Sequence, residues 1–281
     1  MLRMIRFWGQ SPPQGVRMTD LFYDLPIWLS TILVLGLALM VGLGSSLGLQ
    51  KLFRLKTTSE EKEVAVNLMQ VVAAYVGIMI AFAGVTVWQD FSDAKAAVSH
   101  EAATASQLYQ DLTIFGPETI AARGALRAYV VSVTKDEWQL LHEGMGSEAT
   151  EAALQTVFYE IGKLQPEDNR TGAIYEEMLG KLNDLIDFRH DRIIESQTSV
   201  PLILWTIGLV GSLLTVAYAS AFTPTRFNVV MIAGISVTLG LVFLFILTVD
   251  YPFKGEFSVS NRHLVELSAE FDRLDRMWAE P

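Results

Sequence analysis

The side chains able to do chemistry are few, and their spacing does not bring them together. His100, His142, His190 and His263 are scattered along the chain, whereas a metal site wants donors at i, i+3 or i+4 spacing or on facing elements. His190 lies between Asp187 and Asp191, but in so acidic a segment that grouping reads as a solvated face. Ser46 does fall in a Gly-x-Ser-x-Gly pattern, Gly44-Ser45-Ser46-Leu47-Gly48, but inside an uncharged apolar window with no preceding strand, so it gives nucleophilic catalysis no support. With no cysteine there is no thiol nucleophile, disulfide framework or cysteine-based zinc site. Gly42, Gly44 and Gly48 suggest a phosphate-binding loop only superficially. No strand precedes them and no Lys or Asp follows at the required spacing, so they read as close helix packing, as do Gly208, Gly211, Ser212 and Thr215. Asn169-Arg-Thr171 matches a glycosylation pattern too short to carry weight. We therefore assign no catalytic residue, metal or cofactor, and expect no enzyme.

One pattern does have chemical content. On a helix, Asn67, Val71, Ala74, Ile78, Phe82, Val85 and Gln89 fall along one face, polar at both ends and apolar between. Copies of this face around an axis would make a water-accessible funnel with an apolar constriction that gates by dewetting. The alternative is a buried packing face, with Gly77, Ala81 and Gly84 supplying close contact on another side.

The elements that must position this stripe are membrane spans. Half of the chain is hydrophobic (51%) and only 19% is charged, more apolar than an ordinary soluble domain. A bilayer span needs about 20 apolar residues, and four uncharged windows qualify: Ile27 to Leu49, Val64 to Trp88, Val200 to Phe222 and Phe227 to Val249. The last two are separated by Thr223-Pro224-Thr225-Arg226. The first span lies too far into the chain for a cleaved leader and reads as an anchor that stays. The expected fold is all-α: four transmembrane helices with a helical soluble domain inserted between the second and third. By residue, 1–26 form a tail, 27–88 spans one and two, 89–200 the soluble domain, 201–249 spans three and four, and 250–281 a turn and an amphipathic helix.

In the soluble part, apolar positions Phe91, Ala94, Val98, Ala102, Ala105, Leu108 and Leu112 extend the second helix to about Phe115, where Gly116-Pro117 ends it. A helix from Pro117 carries Ile120, Leu126, Tyr129, Val130, Val133, Trp138 and Leu141 inward. A third covers Ser147 to Leu164, and a fourth, from about Thr171, places Ile174, Met178, Leu182, Leu185, Ile186 and Ile193 inward. Thr58 and Glu61 are spaced as a capping box before the second span. Residues 89–200 hold 19 acids against 9 Lys or Arg, which accounts for the whole net charge of −10. That balance argues against nucleic acid as a partner and against the domain lying flat on anionic lipid.

Five stretches carry a family resemblance: Val76-Gly-Ile-Met-Ile-Ala-Phe82, Val87-Trp-Gln-Asp-Phe91-Ser-Asp-Ala94-Lys, Arg123-Gly-Ala-Leu-Arg127-Ala-Tyr129-Val-Val, Ser199-Val-Pro201-Leu-Ile-Leu-Trp205 and Asp250-Tyr-Pro252-Phe253-Lys-Gly255. Together they resemble the bestrophin channels, and more closely the bestrophin-like membrane proteins of bacteria. The resemblance implies a homo-oligomer, a pentamer, with its pore along the second span. It implies a neck at Ala74, Ile78 and Phe82 and a structural turn at Pro252, Phe253 and Gly255; the polar ends of the stripe, Asn67 and Gln89, would then be the pore entrances. Two departures matter. Glu256 is the sole acid between that turn and Asn261, too few oxygens for a calcium clasp, and Ala74 makes a wide ring.

The expected function is an oligomeric ion channel of the bacterial inner membrane, its acidic domain attracting cations; its partners are further copies of itself, the bilayer and permeating ions. The alternative is a non-conducting scaffold whose helical domain binds a protein. Lys51, Arg54, Lys56 and Lys62 make the first loop look cytoplasmic. The resemblance instead puts the soluble domain and both termini there, in line with Arg3, Arg6, Arg17, Arg189, Arg192, Lys254 and Arg262, and this is the orientation we expect. The apolar stripe Leu264, Leu267, Phe271, Leu274 and Trp278 of the C-terminal helix is expected to hold the assembly together.

Overall fold

The computed structural model describes residues 22–53, 58–219 and 225–279. The tail through residue 21, Arg54, Lys56, Thr223 and Pro224 lie outside the described residues. Eight principal helices follow one another: α1 (Ile27–Phe53), α2 (Ser59–Phe115), α3 (Ile120–Ser132), α4 (Glu148–Gly162), α5 (Asn169–Glu195), α6 (Leu202–Ala219), α7 (Arg226–Val249) and α8 (Arg262–Ala279). No strand occurs among the described residues. α1, α2 and α7 each contain a stretch long and apolar enough to cross a bilayer, and α6 is a shorter apolar helix.

Local chemistry accounts for most boundaries. Thr58 and Glu61 form the expected capping box: the Thr58 N–H donates to Glu61 Oε2 at 2.7 Å and the Glu61 N–H to Thr58 Oγ1 at 3.3 Å. α2 runs unbroken for 57 residues until Gly116, whose φ of 143° needs a residue without Cβ. Asp168 caps α5, accepting the Thr171 N–H at 2.7 Å. After α3 the helix widens into a π-helical turn, Val133–Glu137. The step of five from Val133 to Trp138 in the apolar pattern is the spacing such a turn accommodates.

The chain divides into two compact units. One comprises residues 25–92 and 198–258, which hold α1, the first part of α2, α6 and α7. In it α1 packs chiefly along α7. A Cβ at Gly42 would overlap the Ser236 side chain, so close approach requires glycine there. Gly44 and Gly48 have no such neighbour within 4 Å.

Of the described residues, the other unit comprises 22–24, 93–197 and 259–279. Its core takes in Ala94, Val98, Ala102, Ala105, Leu108 and Leu112 of α2, as the period requires, with Leu126, Tyr129, Leu154, Val157, Ile161, Met178, Leu182 and Leu185. Ile186 lies at the surface, and Arg189 and Arg192 turn inward instead. Arg192 donates to both oxygens of Glu101, at 2.5 and 3.1 Å, and to Glu137 at 2.7 Å. Arg189 reaches Glu137 at 2.6 Å and pairs with Glu151, and Tyr129 donates to Glu101 at 2.5 Å. Burial alone would push the Arg192 guanidinium down, but Glu101 and Glu137 outweigh it and hold it above its ordinary value. Burial likewise opposes the charge on Glu137, which the two arginines nevertheless keep below its usual range. Being buried and paired, Arg189 and Arg192 are no free positive charges, which removes them from the topology argument.

The apolar stripe of α8 divides in two: Leu264, Leu267 and Phe271 are buried inside their own unit, whereas Leu274 is half-buried and Trp278 is exposed. Phe271 stacks on Tyr109 with centroids 4.0 Å apart. Around them Asp275 receives Tyr109, Arg123 and Arg127 at 2.8–3.0 Å, and Ser106 donates to Glu270 at 2.5 Å.

Removing one member of a buried ion pair strands the other, at a cost of roughly 3–5 kcal/mol. Arg192→Met is therefore expected to lower the thermal midpoint of the purified protein strongly. Adding Glu101→Leu to it should cost less than the two single changes summed, as scored by parallel melting curves.

Candidate functional site

The second helix of the chain, α2, has two dissimilar sides in the membrane unit. Val76, Ile80, Ala83 and Val87 are buried and form one cluster with Val200 before α6 and Ile246 and Val249 of α7. Val72, Phe91, Leu204, Trp205 and Phe243 pack around it. Gly211 of α6 is part of this fit, because a Cβ there would overlap Val76.

The other side is bare. Asn67, Val71, Ala74, Ile78, Phe82, Val85 and Gln89 are all exposed, Ile78 at 55% and Phe82 at 60%. Neighbours Leu68, Tyr75 and Trp88 are exposed as well, so the uncovered arc is wider than the stripe. Steps of four residues put Ala74, Ile78 and Phe82 at successive levels about 6 Å apart. The buried-face alternative for the stripe does not hold within one chain. Nor do its supposed close-packing residues: Gly77 meets nothing within 4 Å, and a Cβ at Gly84 would make only an ordinary contact, 3.8 Å from Phe245. A face this apolar must meet lipid, another molecule or a narrow pore lumen.

The turn after α7 is the second predicted feature. Pro252 and Phe253 are buried, and Gly255 adopts φ of 79°, a left-handed conformation that favours glycine. Glu256 accepts the Ile27 N–H at 3.2 Å, tying the turn to the start of α1. It thus serves as a cap for an otherwise unpaired helix-end donor.

One residue of this region escaped the sequence reading. Asp250, immediately past α7, is 5% exposed, and its Oδ1 accepts the backbone N–H of Val200 at 2.7 Å. Burial pushes its carboxyl up to about 6, and the nearby Asp90 of α2 adds to the rise against the hydrogen bonds from Val200 and Trp205. An acid just after a long apolar run looks like a solvated helix end, and nothing in the periodicity says that it folds inward. The buried Glu101, Glu137, Arg189 and Arg192 group escaped similarly, since single charges on acidic helices read as surface.

A family model described as a Bestrophin-like domain matches residues 33–264. No curated protein matches the chain. Similar solved structures include two variants of a bacterial Bestrophin homolog from Klebsiella pneumoniae. A tryptophan-to-alanine variant shares 16% identity and a TM-score of 0.66, covering 92% of this chain and 100% of that one. An aspartate-to-alanine variant shares 17% and a TM-score of 0.64, covering 87% and 98%. A crystal structure described as a membrane protein shares 16% identity and a TM-score of 0.63, over 89% of this chain and 99% of the other. At these identities the structures establish the fold.

The fit at Gly211 is testable by substitution. Gly211→Leu forces Val76 aside, and overpacking of this kind costs about 1–3 kcal/mol. We expect it to lower the melting temperature of the purified protein clearly, whereas Gly77→Ala, which enters open space within a helix, should leave the melting temperature of the dissociated protomer no lower than the parent's.

Proposed function

The chain belongs to the bestrophin-like family, and on that premise we propose that it forms an oligomeric ion channel with a pore lined by α2. The observation that carries this reading is the bare face of α2, apolar at Ala74, Ile78 and Phe82 and polar at Asn67 and Gln89, set opposite a well-packed back. Five copies around an axis, the number the resemblance implies, would close these residues into rings. Asn67 and Gln89 then form wetted mouths and the three apolar rings a neck that gates by dewetting. Phe82 is the bulkiest of the three and sets the narrowest level.

Four spans, α1, the first part of α2, α6 and α7, cross a bacterial inner membrane, and the acidic unit faces the cytoplasm. Residues 89–200 carry the whole net charge of −10, and an acidic vestibule of this kind concentrates cations at the pore mouth. The chain therefore conducts cations in preference to anions.

Ion flux into liposomes at matched oligomer content tests the pore. Phe82→Ala should raise flux several-fold and Ile78→Ala should do so more weakly. Because Phe82 is largely exposed within its own chain, its loss costs little folding energy, and assembly should persist. Flux at the empty-liposome level in the parent and in both variants, with assembly intact, would leave the scaffold reading standing instead.

Orientation is tested separately. A reporter enzyme active only in the periplasm, fused after Pro281, should be silent, and a fluorescent protein that matures in the cytoplasm should light up at the same position. The reverse pattern would turn the protein over in the membrane.

A further inference from the structure

Asp250 stands where a carboxylate is poorly tolerated. Its own N–H closes the last turn of α7 onto the Ile246 carbonyl at 2.9 Å, so the side chain lies at the negative end of a 24-residue helix. It is buried, and Asp90 of α2 faces it with a second negative charge. Against these stand two donors from the start of α6, the Val200 N–H at 2.7 Å and the Trp205 side chain. Val200 lies ahead of the first turn of α6, so its N–H has no intrahelical carbonyl and is taken up by Asp250. In the turn that follows, Lys254 lies over the Tyr251 ring at 5.0 Å and Glu256 accepts from Ile27 at the start of α1.

One carboxyl group therefore joins the end of α7 to the start of α6. Val200 and Val249, on its two sides, both belong to the cluster that backs α2. We propose that Asp250 is a proton-binding site that sets how tightly the α6–α7 junction is held, and through it the packing behind α2. A proton taken from water onto Oδ2 leaves Oδ1 accepting the Val200 N–H. It removes the charge facing Asp90 and the last carbonyls of α7. The neutral form is the tightly held one and the charged form the strained one.

The sign follows from linkage. The carboxyl is raised in the folded protein from 3.8 to about 6, so the folded state holds this proton more tightly than the unfolded chain does. Its stabilising contribution is complete below about 3.8 and is lost as pH rises through about 6. At neutral pH the junction sits in its weaker state.

The test is the melting temperature of the full-length assembled protein in lipid nanodiscs, followed from pH 4.5 to 8. The parent should lose stability progressively from pH 4.5 to about 6 and level off above it. Asp250→Asn, which keeps an acceptor for Val200 without the charge, should lack that fall, differ least from the parent at the acid end of the range and exceed it by a few degrees at pH 8. Asp90→Asn should move the fall to lower pH. An Asp250→Asn protein that retains the fall, or that is less stable than the parent at pH 8, overturns the proposal. A fall unmoved by Asp90→Asn overturns the part given to Asp90. The readout needs no conduction, so its failure and that of the channel reading are distinguishable.

Discussion

The contact on which the membrane unit depends is the seam between α2 and the α6–α7 pair. Val76, Ile80, Ala83 and Val87 supply one side, and Val200, Ile246 and Val249 the other. In a bilayer, helix association has little hydrophobic drive and rests on close van der Waals fit. Gly211 gives way to Val76, and Gly42 to Ser236, because any side chain there would collide. Once that seam is made, the opposite face of α2 has no partner left among the described residues.

That leftover face is what the proposed pore would use. A helix buried all round can hold a bundle together but can line nothing. α2 instead keeps a row of exposed apolar residues between two polar ones. The same helix continues through 57 residues without a break into the second compact unit, where a different chemistry fixes it.

In the unit built around the second half of α2, α3, α4, α5 and α8, fixing is done by buried charge. Glu101, Glu137, Arg189 and Arg192 neutralise one another away from water. Such a group contributes specificity more than net stability, because each ion must be stripped of solvent before it is paired. It selects one register of α5 against α2, since a shift by a single residue would leave bare charges in the core. The rim between α3 and α8 repeats the device nearer the surface, with Asp275 gathering Tyr109, Arg123 and Arg127.

The sequence by itself determined the elements. Hydrophobic length marked the apolar helices, period 3.6 carried α2 through Leu112, and Thr58, Glu61, Gly116 and Gly255 set ends and turns by local backbone chemistry. The face of α2 was legible as a stripe of residue types, but whether it was covered was not, because covering depends on which helices pack behind it. Tertiary structure alone decided the fate of the charges. Arg189, Arg192, Glu101, Glu137 and Asp250 look like surface residues when each is read with its chain neighbours. Their burial rests on partners 50 to 91 positions away, and pairing at that range leaves no periodicity to read.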